Sequence, residues 1–492
     1  MIFNSTRLLT LIGIFMLTSC TVGPDYQRPT PIASIKFKEL EGWKQAHPRD
    51  HEIIEKWWEL FKDPYLNTLE EQVNSANQSI AQAEAQYRQA QTLVQSAAAS
   101  YFPTATGTAA ANRFRAASGQ NVAVRGVKYL FGAALSAAWE PDLWGSVRRQ
   151  VESSEATAQA SAATLQALRL STQTTLAQDY FLLRVFDAQI KLLKDTTETY
   201  EKTLKITQNR YEVGIAAKSE VVQAEAQLQS AQAQEINIGI QRAQIEHAIA
   251  VLIGKPPAAL TIPIVPLQDF LPAIPVSIPS TLLERRPDIA TAERQVAAAN
   301  AQIGVAKSAY FPTLSLAATN GTQSSQLSTL LSSAARYWAL GPAAVAIPLF
   351  DGGLRGAQMQ QSIDAYDASV AAYRQAVLVS FQEVEDNLAA LRILEQELIV
   401  QKKAVESAQK AVLLTTNQYR AGTLAYLNVM VDQAAALANE KTAVDLQGQQ
   451  LTSAVLLIKA LGGGWNMAKL PTEDEVGGDV KWSQFLPIPV NQ

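Results

Sequence analysis

The sequence predicts a mainly α-helical chain that also carries a membrane β-barrel part. Two proline-free stretches, from Pro141 to Pro256 and from Pro348 to Pro471, are rich in helix-forming residues and allow very long helices. The second half of the chain repeats markers of the first half in the same order. Each half also holds two short alternating segments, and lengths of about ten residues are typical of transmembrane strands.

Composition narrows the possible functions. The 492 residues are 48% hydrophobic and 17% charged, which argues against intrinsic disorder, and the net charge of −4 is not that of a general nucleic-acid binder. The single cysteine excludes an internal disulfide framework and a metal site built from cysteines. Three histidines are too few for a histidine-rich catalytic or metal centre to be expected. We therefore expect neither a metal nor a cofactor.

The amino terminus has the pattern of an export signal. Arg7 precedes the apolar stretch Leu8–Leu17, and small residues lead to Cys20. This order resembles a bacterial lipobox, in which Cys20 becomes the first residue and carries lipid, so residues 1–19 are a lipoprotein signal peptide. An ordinary signal peptide with a chance cysteine is the alternative. The residue after the cysteine is Thr21 and not aspartate. In this respect the sequence resembles lipoproteins that are sorted to the outer membrane.

Internal repetition defines the domain organisation. Tyr101-Phe102-Pro103-Thr104 recurs at 310–313, and Tyr211-x-x-Gly214 recurs as Tyr419-x-x-Gly422. Chance similarity between two Ala- and Gln-rich segments is the alternative. The predicted parts are a lipid-anchored segment (20–66), repeat 1 (67–257), a Pro-rich linker (258–279), repeat 2 (280–465) and a tail (466–492).

The long helices follow from the proline gaps and the apolar spacing of three and four residues. We expect helices at 146–213 and 354–421, each about 100 Å long at 1.5 Å per residue. Shorter helices of about 54 Å are expected at 218–253 and 425–460. Gly214 and Gly422 interrupt the pattern and predict turns.

The strands are expected at 103–116, 128–140, 312–320 and 336–349. Polar loops at 118–126 and 320–333 separate the members of each pair. Four strands cannot close a barrel, and lipid tolerates no open sheet edge, so the strands would close by oligomerisation. An ordinary soluble pair of hairpins is the alternative.

Several motifs carry a resemblance that covers nearly the whole chain after the signal. The motifs are Cys20–Pro29, Trp57–Pro64, Glu140–Gly145, Leu282–Ile289 and Lys459–Trp465. Together they resemble TolC-like outer-membrane efflux lipoproteins of the NodT/OprM group. The resemblance implies a homotrimer in the outer-membrane lipid, with four strands per chain forming one barrel of 12 strands and helices forming a periplasmic tunnel. It also implies a periplasmic adaptor protein and an inner-membrane pump of the RND type as partners.

The resemblance places the two helical turns, at Gly214 and Gly422, at a periplasmic tip where the pore closes. Tyr211 and Tyr419 match tyrosines that make closing contacts there, although packing between coiled helices would explain them equally well. Relatives often carry an aspartate where this chain has Val431, and Asp432 lies one residue later. Since one helical residue turns about 100°, Asp432 is expected to point away from the lumen, with Asn428 or Glu220 in its place.

No catalytic motif emerges from the sequence, so the chain is not expected to be an enzyme. His51-Glu52-Ile53-Ile54-Glu55 begins like a zinc-protease motif but ends in glutamate. We expect a passive exit duct for drugs or other small solutes. A duct for type I protein secretion and a lipid-anchored coiled-coil spacer without a pore are the alternatives.

Overall fold

The computed structural model describes residues 21–31, 37–40, 56–115, 127–265, 267, 270–272, 274 and 284–477. The predicted signal peptide, Cys20, the loop at 118–126 and the end of the tail lie outside the described residues. So do parts of the lipid-anchored segment and of the Pro-rich linker. Expectations about those residues stay predictions.

The described chain alternates helices with strand pairs. The first half contains α1 (Pro64–Ala76), α2 (Gln78–Ala98), β1 (Thr104–Arg115), β2 (Val127–Trp139), α3 (Ser146–Glu212) and α4 (Lys218–Leu252). The second half contains α5 (Pro287–Ser308), β3 (Thr313–Ser324), β4 (Arg336–Ala346), α6 (Leu354–Arg420), α7 (Tyr426–Ala460) and the short α8 (Glu473–Gly477). The long helices α3 and α6 have 67 residues each, and α4 and α7 have 35 each.

The four predicted long helices are confirmed to within one residue at each end. The ends of two strands were predicted wrongly. β3 continues to Ser324 instead of ending at 320, because Gly321 and its polar neighbours remain paired with β2. β4 ends at Ala346 instead of 349, since Pro348 has no N–H to extend the ladder.

One antiparallel sheet joins the two halves, with strand order β1-β2-β3-β4. Thr104 pairs with Ala138 at one end of the ladder, and Thr313 pairs with Ala346 at the same end. All four strands therefore meet the helices at that end. β1 and β4 form the two lateral edges, each with one neighbouring strand in the described part of the chain.

Equivalent glycines follow the ends of α4 and α7. Gly254 and Gly462 have positive φ angles of 69° and 97°. An added Cβ would lie 2.2 Å from the Ala76 oxygen at Gly254 and 2.2 Å from the Arg285 oxygen at Gly462. Both positions therefore require glycine, because a side chain would clash with backbone as well as strain the turn.

Side chains from the neighbouring segment cap the same two helix ends. The Asn77 amide donates to the Leu252 oxygen at 2.7 Å, and the Arg286 guanidinium donates to the Ala460 oxygen at 3.2 Å. Arg286 is buried and also pairs with Asp288 and Glu383. This pairing gives the charged residues Arg286 and Asp288 of the motif at 282–289 a structural role, because it holds α5, α6 and α7 together.

The long helices form a row. α3 packs against α4 on one side and α7 on the other, and α6 packs against α7, which gives the order α4, α3, α7, α6. The main hydrophobic core lies where α1 and the aromatic residues Trp57, Trp58 and Phe61 cover this row. None of the helices in the described ranges combines the length and the apolar character that a membrane span needs.

The tail contains structure that the sequence did not predict. Its short helix α8 buries Val476 against Ala90, Val94 and Ala158. The acidic residues Glu473 and Glu475 lie in its first turn, where negative charge is favourable. The start of the tail is thus docked on α2 and α3.

Candidate functional site

The two helical hairpins, α3–α4 and α6–α7, turn in the same way at their far ends. Gly214 donates its N–H to the Tyr211 oxygen, and Gly422 donates its N–H to the Tyr419 oxygen. Both glycines have left-handed φ angles, of 77° and 79°. The predicted turns are confirmed, and they bring all the predicted tip residues to one end of the helix row.

Tyr419 is the centre of the contact between the hairpins. Its side chain is 2% exposed, and its hydroxyl lies 3.1 Å from Glu220 Oε2 and 3.2 Å from Thr207 Oγ1. Thr207 belongs to α3, Glu220 to α4 and Tyr419 to α6. One phenol thus joins the second hairpin to both helices of the first.

Arg210 holds the same tyrosine from the other side. Its guanidinium carbon lies 4.6 Å from the centroid of the Tyr419 ring, a cation–π arrangement. The guanidinium also donates to the Tyr419 backbone oxygen at 2.5 Å and the Arg420 oxygen at 3.3 Å. Since the last carbonyls of an α-helix lack the usual N–H donor four residues further on, Arg210 of the first hairpin caps the end of α6 in the second.

Tyr426 completes the cluster at the start of α7. Its ring meets the Tyr419 ring edge-on at 5.7 Å, and its hydroxyl donates to Gln227 Oε1 at 2.9 Å. Burial raises the pKa of Tyr426 to about 12. Burial, and then the carboxylate of Glu220, also raises the pKa of Tyr419, so both phenols remain neutral hydrogen-bond donors at physiological pH.

Tyr211, the repeat partner of Tyr419, has a different environment. Its side chain is 43% exposed, and the Lys218 ammonium lies 5.9 Å from its ring centroid. The structure therefore brings Tyr419 and Glu220 together but leaves Tyr211 on the surface of the single chain. A closing role for either tyrosine stays a prediction.

Asn428 and Asp432 lie one turn apart on α7. Asn428 is exposed, whereas Asp432 is partly buried. Four helical residues advance the direction of a side chain by about 400°, so the two side chains differ by only about 40°. Their orientation toward a lumen stays a prediction.

Sequence reasoning missed Thr207, Arg210, Tyr426 and Gln227 as members of this cluster. Such residues are common on solvated helix faces, so their types alone do not mark a site. The repeat offset of 208 could have drawn attention to Arg210, because its equivalent, Gln418, breaks the similarity. No cluster of metal-binding side chains occurs among the residues that the structure describes.

Comparison with known proteins assigns this architecture. The family profile for outer membrane efflux proteins matches residues 69–255 and 278–463. The chain belongs to the outer membrane efflux protein family. It is 31% identical over 460 residues to a probable efflux pump outer membrane protein of Pseudomonas putida, TtgC, covering 92% of this chain and 94% of the relative.

A second relative and a solved structure agree. The pyoverdine export outer membrane protein OpmQ of Pseudomonas aeruginosa is 30% identical over 471 residues, covering 93% of this chain and 98% of the relative. The outer-membrane channel OprN superposes with a TM-score of 0.84 at 31% identity, covering 91% of this chain and all of that one. The predicted TolC-like fold is confirmed, and the chain is an outer-membrane efflux channel whose helical part forms a periplasmic tunnel.

Proposed function

We propose that three copies of this chain form a passive exit duct for drugs or other small solutes. Four strands from each of three copies would give one barrel of 12 strands. The observation that carries the proposal is the pair of lateral edges, β1 and β4, in one sheet. An unpaired sheet edge inside lipid is costly, and pairing β4 of one copy with β1 of the next removes every edge.

The helix row supports the same closure. Its outer members, α4 and α6, expose large apolar side chains, which include Val222, Ile236 and Ile240 on α4 and Ile393, Val400 and Leu413 on α6. Burying such side chains between copies is favourable by roughly 25 cal/mol per Å². Docking α6 of one copy against α4 of the next would complete a tube of twelve long helices.

The tip would serve as gate and docking site. The Tyr419 cluster holds the two hairpins of a chain together, which favours a closed tip. Val213 and Ile215 beside Gly214 are 69% and 66% exposed, and offer an apolar surface to a periplasmic adaptor protein. Since the proposed duct is passive, transport through it would be driven by an inner-membrane RND-type pump.

Cys20 would carry the lipid that anchors the amino terminus in the outer membrane. The residues directly after it are held firmly: the Val22 amide donates to the Trp144 oxygen at 3.1 Å, and Arg149 pairs with Asp25 at 2.8 Å. Trp144 lies just before α3 and Arg149 lies in its first turn, close to the helix-side end of β2. Acyl chains on Cys20 would therefore enter the bilayer beside the barrel.

The test is native mass spectrometry of the purified full-length protein, followed by single-channel recording in planar bilayers. We expect trimers and a small, cation-selective conductance. Asn428→Ala is expected to change the selectivity more than Asp432→Ala, because Asn428 is exposed whereas Asp432 is partly buried. Monomers without conductance would contradict the duct and revive the spacer.

A further inference from the structure

The connection between β2 and α3 is covered inside the chain. The Trp144 indole stacks on the Phe311 ring with centroids 4.9 Å apart, and its Nε1 donates to the Pro312 oxygen at 2.6 Å. Phe311 lies just before β3, the neighbour of β2. At the β2–β3 pair, an aromatic side chain that follows one strand thus packs on the aromatic side chain that precedes the neighbouring strand.

The corresponding connection between β4 and α6 displays apolar side chains to the outside. Leu349 and Phe350 are 89% and 91% exposed. The turn that carries them is fixed, because Asp351 accepts hydrogen bonds from the backbone N–H groups of Gly353 and Arg355. A rigid turn that holds two large apolar groups in the open is typical of a surface that another surface covers.

The matching entry segment lies at the opposite edge of the sheet. Tyr101 and Phe102 precede β1, and Phe102 is the repeat equivalent of Phe311 at an offset of 209. Phe102 is 49% exposed and Tyr101 is 38% exposed. The strand register puts this segment and Phe350 at the same, helix-side end of the sheet.

We propose that Leu349 and Phe350 of one copy pack on Tyr101 and Phe102 of a second copy of this chain. This contact would repeat, between copies, the packing of Trp144 on Phe311 within a copy. It rests on the proposed homotrimer and names the residues that close it. Contact with lipid would explain why the two side chains are exposed. It would not explain why an equivalent aromatic segment lies at the other edge of the sheet, at the same end.

The contact cannot form within a single chain. β1 and β4 are separated by three strand spacings, or about 14 Å. A disulfide needs Cα atoms closer than about 7 Å. A cross-link between the two edge segments would therefore join different copies.

The test uses the pair Phe102→Cys and Phe350→Cys in the full-length protein, oxidised in isolated outer membranes with copper phenanthroline. We expect covalent dimers and trimers on denaturing gels. The matched control pairs Phe350→Cys with Phe114→Cys, because Phe114 lies at the far end of β1, about 40 Å away along the strand. Each single variant controls for cross-linking through Cys20.

The outcomes separate this contact from the trimer itself. Trimers in native mass spectra, with no more cross-linking than in the control pair, would overturn the contact and leave the proposed duct intact. Monomers in native mass spectra would overturn both. A further measurement attaches a bimane probe to the thiol of the Phe350→Cys variant and adds lipid that is spin-labelled at headgroup level. Strong quenching of the probe would also overturn the proposed contact, since lipid would then cover the site.

A second variant does not depend on cysteine geometry. Leu349→Ala with Phe350→Ala is expected to weaken trimer association about tenfold, which corresponds to about 1.4 kcal/mol. Leu331→Ala, at another exposed leucine, is the matched control and should leave association unchanged. Equal trimer stability in both variants would contradict the proposal.

Discussion

At the scale of single residues, two tyrosines in equivalent repeat positions have become different. Tyr419 is buried and shared among three helices, whereas Tyr211 lies on the surface. The difference comes from their neighbours: Arg210 and Glu220 act on Tyr419, and the equivalent positions around Tyr211 hold Gln418 and Asn428. Sequence repetition therefore does not imply repetition of contacts.

Tyr419→Phe is expected to loosen the tip. The substitution keeps the ring packing but removes a hydrogen bond to a charged acceptor, which is worth about 1.5–3 kcal/mol. We expect a larger single-channel conductance in planar bilayers. Tyr211→Phe is the matched control, and an equal increase there would contradict the closing role of Tyr419.

Glu155 gives the stability of the tail a pH dependence. Burial, and then the carboxylates of Glu473 and Glu152, raises the pKa of Glu155 from 4.5 to about 7. Between pH 4.5 and about 7, the Glu155 carboxyl is ionised in the unfolded chain but protonated in the folded chain. The free energy of unfolding that Glu155 contributes therefore falls as the pH rises through this range. Above that range the cost remains constant.

Glu155→Gln is therefore expected to raise the unfolding temperature at pH 8 and to change it little at pH 4. Thermal unfolding followed by circular dichroism at both pH values measures the effect. Glu198→Gln, on an exposed part of the same helix, is the control. A similar effect of Glu155→Gln at both pH values would contradict the assignment.

At the scale of helices, close packing of α3 on α7 depends on a missing side chain. An added Cβ at Gly448 of α7 would lie 2.3 Å from Val185 Cγ2, and Val185 of α3 is itself buried. Gly239, within α4, has no heavy atom within 4 Å of the same point. Gly448 is thus required by helix packing, whereas the packing at Gly239 leaves room for a side chain.

Gly448→Ala is expected to destabilise the protein by about 1–3 kcal/mol, because overpacking forces the helices apart. Gly239→Ala is expected to stabilise it by about 0.5–1 kcal/mol, because alanine is the better helix former. Denaturant unfolding of both variants measures the difference. Equal effects would show that α3 and α7 can shift to accept a methyl group.

Helix limits were predictable because they depend on local signals. Prolines bound the permitted stretches, and Gly214 and Gly422 end their helices through their own backbone conformation. The end of β3 was not predictable, because Asn320 and Gly321 are residue types typical of loops. Only their pairing with β2 keeps them extended. The Tyr419 cluster was only partly predictable, because its geometry depends on how two hairpins converge.

At the scale of the whole molecule, the described residues 21–31 and the start of the tail both contact the first part of the long helix α3. Arg149 of α3 pairs with Asp25 and also with Glu152. The tail helix α8 contacts α2 and α3 in the same region. Among the described residues, the segment at 21–31 and helix α8 therefore both lie near the junction of sheet and helices, far from the tip.

Cys20→Ser is expected to abolish lipid attachment without unfolding the channel, because the fastening at Asp25 remains. Metabolic labelling with an alkyne palmitate measures the modification. The wild type should be labelled and the variant should not, while circular dichroism of the two stays equal. Labelling of the variant would contradict lipidation at Cys20.

The internal repeat also has an evolutionary consequence. A ring built from half-length chains would contain six identical units, and each substitution would appear six times. In the proposed ring of three duplicated chains, the equivalent positions Glu220 and Asn428 carry different residues. Gene duplication thereby allows selection to adjust one set of tip contacts while the other set changes independently.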